Sequence, residues 1–122
     1  MTAPRPQDAT RRLLATTPAP LTALAVVTSF AATLGDVELK LQYVPDRLVL
    51  TKAGFEAYVS ARATTVCASL EALAATIADD VANEIVPKWS RVTVTHAGAT
   101  SHSVVAEDRQ PGWNHPTLLA SL

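Results

Sequence analysis

The sequence predicts an α+β domain, an antiparallel sheet with a pair of helices packed on one face. Three observations carry that expectation. Segments that alternate apolar and polar residues flank the middle of the chain: "DVELKLQYV" (36–44) before it, "RVTVTHAG" (91–98) and "SHSVVAED" (101–108) after it. Period-two alternation marks strands with one buried face. Between them, from Lys52 to Val86, apolar residues recur at helical spacing instead. With 122 residues, 48% of them hydrophobic, the chain has the size of a single domain with one core.

Taken in order, residues 1 to about 20 are rich in Pro and Thr ("APRPQ", "TTPAP") and read as a flexible arm with a short helical turn around Asp8 to Leu14. The folded domain is expected over 21–122. "LTALAVVTSF" (21–30) is an apolar, β-branched run expected as a buried strand. In the next strand Val37, Leu39, Leu41 and Tyr43 face one way, and Glu38, Lys40 and Gln42 the other. Pro45-Asp46 makes a bend and "RLVLT" a short extended continuation.

The first helix is expected from Lys52 to about Ala63, with Phe55, Tyr58, Val59 and Arg62 along one side. The second is expected from about Cys67 to Val86, with a stripe of Val66, Leu70, Leu73, Ile77, Val81 and Ile85. Asp79, Asp80 and Asn83 are assigned to its wet face. Thr64 or Thr65 would cap it and Pro87 stops it. The last two strands form a hairpin around a Gly-containing turn. In the tail, "PGWNHP" is either a loop closing over a site with Trp113 and His115 or a docked end.

Composition excludes several function classes. A formal charge of −1, with ten scattered basic residues, gives no electrostatic reason to expect nucleic acid or an anionic membrane as partner. No apolar run is long enough to span a bilayer. One cysteine excludes an internal disulfide and a cysteine-cluster zinc site, and fits a reducing, cytoplasmic setting. No phosphate loop, Rossmann glycine pattern, His-Glu-x-x-His motif or nucleophile elbow occurs, so no metal site is expected and the cofactor is unknown. A low-charge, alanine-rich surface suggests a homo-oligomer.

Few residues remain as carriers of chemistry. Cys67 and Glu71 stack one turn apart on the second helix. Helical rotation turns Cys67 toward the apolar stripe, where a lone cysteine acts as a small hydrophobe; a reactive thiol is the alternative. Glu71 lies at the border of the stripe in the first turn, where the helix dipole favours its charged form. A carboxylate there can accept two hydrogen bonds from adjacent N–H groups of a purine or pterin; the plainer alternative is a solvated helix-start glutamate. His96 and His102 would face each other across the hairpin, as surface histidines or sharing a zinc or a proton relay.

"LQYVPDRLVL", then a helix with Tyr58, a helix opening near a glutamate, and "VPKWSRVTVTH" resemble the tunnelling fold (T-fold), and within it the 7-cyano-7-deazaguanine reductases, the nitrile reductases of queuosine biosynthesis. Tyr43, Pro45, Asp46, Arg47 and Leu48 match that family's Tyr-x-Pro-Asp-Lys/Arg-Leu run. The likeness covers about half the chain. It implies subunits whose sheets join, and a site for a planar nitrogen heterocycle at the subunit interface. Glu71 would be the anchor, with Thr28 and Tyr58 as further ligand contacts. Position on the first helix alone reads Phe55 and Tyr58 as core residues and not as a stacking platform.

The departures are as informative. Where the family carries a cysteine nucleophile, this chain has Thr28 and Ser29, with Asp36 seven residues after Ser29. Ser29, Asp36 and His96 are therefore the candidates for proton handling. The family's NADPH-binding Glu-Ser-Lys-Ser-x-Lys run is replaced by "TKAGFEAY", which places Glu56 near the second lysine, and a carboxylate there repels a nucleotide phosphate. The resemblance thus implies a heterocycle-binding T-fold protein, an enzyme of heterocycle metabolism but not a standard NADPH-dependent nitrile reductase. The alternatives are a non-catalytic binder of a ligand or protein partner, and a reductase in which Cys67 has taken over as nucleophile.

Overall fold

The computed structural model describes residues 6–64 and 68–122. Along the chain the elements are α1 (Pro6–Arg11), β1 (Thr16–Pro18), β2 (Thr28–Leu34), β3 (Val37–Val44), β4 (Leu48–Leu50), α2 (Lys52–Ala63), α3 (Leu70–Glu84), β5 (Trp89–His96), β6 (His102–Arg109) and α4 (Pro116–Ala120). Four strands form an antiparallel sheet in the order β2-β3-β5-β6, and β1 pairs with β4 in a separate two-stranded ribbon. The α+β expectation therefore holds, with strand-strand-helix-helix-strand-strand as the central order. The sheet is open, not closed into a barrel.

Alternation decides which face is buried. Val37, Leu39, Leu41 and Tyr43 of β3 pair with His96, Val94, Val92 and Ser90 of β5. On the same face, Phe30 and Ala32 of β2 lie beside Leu41 and Leu39. The helices cover this face, α2 over β2 and α3 over β5 and β6. Leu39, Leu41, Val92, Val94, Ile77 and Val81 form the centre of the core. Phe30 stacks on Phe55 of α2 with ring centroids 4.7 Å apart, and the Tyr43 hydroxyl accepts a hydrogen bond from the Leu50 N–H at 2.8 Å. Burying apolar area of this kind is the main stabilising term of a domain this size.

The residues expected as a flexible arm are partly built into the fold. Leu14 is a core residue, and β1 pairs Thr16 with Leu50 and Pro18 with Leu48. The Thr51 N–H donates to the Ala15 carbonyl at 2.9 Å, and Thr51 also caps α2 by accepting from the Gly54 N–H at 3.0 Å. Gly54 makes this docking possible. A Cβ there would lie 2.6 Å from the Ala15 backbone nitrogen, closer than atoms tolerate.

The run "LTALAVV" is not the strand its composition suggests. Strand β2 begins only at Thr28, which pairs with Tyr43, and Leu21 and Leu24 stand exposed. The limit is set by the partner, since β3 ends at Val44 and the following Pro45 has no N–H to continue a ladder. Helix α3 also begins later than expected. Its N-cap is Ser69, whose side chain accepts from the Ala72 N–H, not Thr64, which belongs to the end of α2. Thr65, Val66 and Cys67 lie outside the described residues. At the other end, Val86 takes a left-handed φ of 49° just before Pro87, a helix-terminating position usually held by glycine.

Gly54→Ala tests the docking of the N-terminal segment by its sign. An alanine in a helix ordinarily gains about 1 kcal/mol over glycine. Here the clash with Ala15 is expected to outweigh that gain and lower Tm by about 5 °C; calorimetry showing a higher Tm would contradict the docking.

Candidate functional site

Three polar side chains hold the helix pair together from inside the core. The Tyr58 hydroxyl donates to Asp80 Oδ2 at 2.5 Å, Arg62 Nη2 donates to the same oxygen at 2.6 Å, and Arg62 Nε donates to the Tyr58 oxygen at 3.2 Å. All three are buried, Arg62 at 3% and Asp80 at 5% exposure. Charges so deprived of water are tolerable only because each is paired and hydrogen-bonded. Burial first, then the hydrogen bond and charge of Asp80, push the Tyr58 hydroxyl well above the ordinary tyrosine range, against a smaller opposing effect of Arg62.

This cluster corrects two sequence expectations. Asp80 is not on the wet face, which Asp79 and Asn83 do occupy. It follows Ile77 by three residues and so falls on the buried side of the stripe. Tyr58, expected to contact a ligand, is 1% exposed and its hydroxyl is committed to Asp80 and Arg62. The sequence signal existed: Arg62 lies one turn after Tyr58 on the apolar side of α2, and a buried arginine requires an acid.

Glu71 is the second residue of α3, in the turn capped by Ser69. Its Oε1 meets His102 Nε2 at 3.1 Å, a contact between the first turn of α3 and the first residue of β6. His102 is also the cross-strand partner of His96, as the spacing predicted. Asp36 sits in the β2–β3 turn, which Gly35 closes with φ +58°, next to the Val37 that pairs with His96. Glu71, His102, His96 and Asp36 thus gather at one end of the sheet. The Glu71–His102 side chains are 62% and 55% exposed, so their pairing contributes little to stability and both remain open to a ligand. Glu71 Oε2 has no partner among the described residues.

Thr28 and Ser29 lie at the opposite end. Thr28 pairs with Tyr43 and Ser29 with Gln42, while Asp36 lies beyond the far end of the same strand. At 3.3 Å per residue and about 4.8 Å per strand, Ser29 and the Glu71–His102 pair are separated by roughly 20 Å. Ser29 is exposed on the face away from the helices, and no described residue makes a hydrogen bond to its hydroxyl. Within one chain, therefore, Ser29, Asp36 and His96 do not form a catalytic set. Cys67 lies outside the described residues, and among those described no group of three His, Cys, Asp or Glu side chains stands ready to hold a metal.

The face away from the helices carries a charge cluster that the sequence reading missed. Glu107 accepts from Trp89 Nε1 at 3.0 Å, from Arg109 Nη2 at 2.8 Å and from Arg91 Nη2 at 3.3 Å. The Arg91 guanidinium lies 5.0 Å from the centre of the Trp89 ring. The Trp89 bond, more than the two arginines, holds the Glu107 carboxyl below its ordinary range in spite of partial burial. The cluster fastens β5 to β6, and the cross-strand pairing of Arg91 with Glu107 follows from the alternation of both strands. Where the resemblance would place a nucleotide clamp, α2 presents Glu56, exposed, one turn after Lys52. A carboxylate there does not fit the phosphates of NADPH.

Replacing Asp80 with Asn leaves Arg62 buried without its counter-charge and is expected to cost about 3–5 kcal/mol in denaturant unfolding. Tyr58 gives a pH signature. Its proton is bound more tightly folded than unfolded, so its contribution is complete below the ordinary value of about 10 and is lost as pH rises beyond it. Wild-type stability should fall more steeply above pH 10 than that of Tyr58→Phe; parallel curves would contradict the assignment.

No helix among the described residues is long and apolar enough to cross a membrane. Compared with family models and with curated proteins, the chain matches none.

Proposed function

We propose that the protein is a T-fold binder of a planar nitrogen heterocycle, of purine or pterin type, held at an interface between identical subunits. The observation that carries this reading is the state of Glu71. Its carboxylate stands exposed in the first turn of α3, near the positive end of the helix dipole. One oxygen is steadied by His102, and the other, without a partner among the described residues, can accept a donor. Two adjacent N–H groups of a purine or pterin edge match such an acceptor, and charge-assisted bonds of this kind are the strong ones.

The distance between Glu71 and Ser29 supports the interface. Residues that the family resemblance gathers into one site stand at opposite ends of the sheet in one chain, so a site containing both takes them from two chains. The strands β2 and β6 are the free edges of the sheet, and unpaired edges are where sheets of neighbouring subunits join. Binding without chemistry is the form best supported, because an exposed serine with no base beside it is a poor nucleophile. Proton transfer by Ser29 of one subunit with Asp36 or His96 of another is the second reading, resting on the same juxtaposition.

Calorimetric titration with guanine, pterin and 7-cyano-7-deazaguanine tests the anchor. At least one is expected to bind, with Glu71→Gln weakening it about tenfold or more and His102→Ala weakening it less. An affinity unchanged by Glu71→Gln would overturn the proposal, as would a clean monomer at micromolar concentration in sedimentation.

A further inference from the structure

At the end of the sheet away from Glu71, the chain forms a partly open pocket of about 430 Å³ that the heterocycle reading does not use. Its size is that of small-molecule sites. One wall is the exposed segment after β1, including Leu24 and Val26; the floor includes Val44; the far wall is the tail, with Trp113 and Leu118. Both sides are fixed to the body. The Ala19 N–H donates to the Arg47 carbonyl at 2.8 Å, and the Gln110 N–H to the Lys88 carbonyl at 2.9 Å. The Gln110 side chain also donates to Asp46 Oδ2 at 3.0 Å and to the Val86 carbonyl at 3.3 Å.

The polar lining is unbalanced toward donors. Asp46, the one acid lining the cavity, is engaged by Gln110. Lys88 also lines it, and no carboxylate among the described residues pairs with its ammonium. His115 accepts the Leu118 N–H on Nδ1 at 3.2 Å. A backbone N–H can only donate, so a neutral His115 carries its ring proton on Nε2 and offers a donor there. The Trp113 indole N–H has no acceptor among the described residues. A pocket of mixed polar and apolar lining with Trp113 on one side, an ammonium that no carboxylate among the described residues pairs, and two ring N–H donors is complementary to a flat apolar body bearing a carboxylate.

We propose that this cavity binds an aromatic carboxylate, its ring against Trp113 and its carboxylate at Lys88. The site is independent of Glu71 and stands or falls separately from the heterocycle reading. The test uses 1-naphthoate and its neutral isostere 1-naphthamide, titrated calorimetrically and by Trp fluorescence into the full chain. Naphthoate is expected to bind about tenfold more tightly than the amide. Lys88→Met should erase that preference, Trp113→Leu should weaken both probes, and Glu71→Gln should change neither. Lys88 hydrogen-bonds to the fold through its backbone, so Lys88→Met keeps the test valid if Trp113→Leu fails to fold. Equal affinity for the two probes, no binding of either, or a preference that survives Lys88→Met would overturn the proposal.

Discussion

The two-layer arrangement depends on a buried ion pair. Arg62 and the Tyr58 hydroxyl, both on α2, donate to the same carboxylate oxygen of Asp80 on α3, and all three side chains are buried. An apolar contact between two helices tolerates sliding and rotation. A buried arginine does not, because every displacement exposes a charge to a low-dielectric interior without its partner. The cluster therefore fixes how α2 and α3 lie against each other, and with them the first turn of α3. Glu71 meets His102 across the layers because α3 is held at that height over β6. Stability and candidate site are coupled through this one constraint.

The sheet imposes a second constraint. Four strands of up to eight residues set two chemically distinct ends apart. One gathers Glu71, His96, His102 and Asp36, polar and exposed. The other brings the segment before β2, the Pro45-Asp46 bend and the Trp113–Leu118 tail around a pocket that Lys88 also lines. Neither end resembles an active site with a nucleophile and a base in contact. The first suits recognition of an N–H-rich edge, the second of an acceptor-rich one. Joining the first to Ser29 requires another chain, which gives the proposed assembly a chemical reason beyond the covering of apolar residues.

Much of this was legible in the sequence because periodicity reports which face of an element is buried. The alternation in 36–44 and 91–98 places Leu39, Leu41, Val92 and Val94 in the core, and the stripe Leu73, Ile77, Val81, Ile85 is the buried side of the second helical segment. The facing of His96 and His102 followed from hairpin geometry. Four things did not follow. The strand expected at 21–30 starts late because pairing depends on the length of β3, which a local window cannot see. Asp80 was assigned to solvent by residue type, although its helical angle pointed inward. Tyr58 was credited with a ligand role through family likeness, while its surroundings in the fold consume its hydroxyl. The contact of Glu71 with His102 joins residues 31 positions apart and only tertiary structure reveals it.

The central claim is that Glu71 and Ser29 act in one site drawn from two chains. Subunit mixing tests it most directly. Glu71→Gln and a blocking Ser29→Trp are each expected to weaken heterocycle binding about tenfold or more in pure assemblies. When the two variants are mixed under exchange, random pairing should restore about a quarter of the wild-type capacity, since some interfaces then combine both intact halves. A mixture that binds no better than its components, or a Ser29→Trp chain that binds like wild type, would contradict the account.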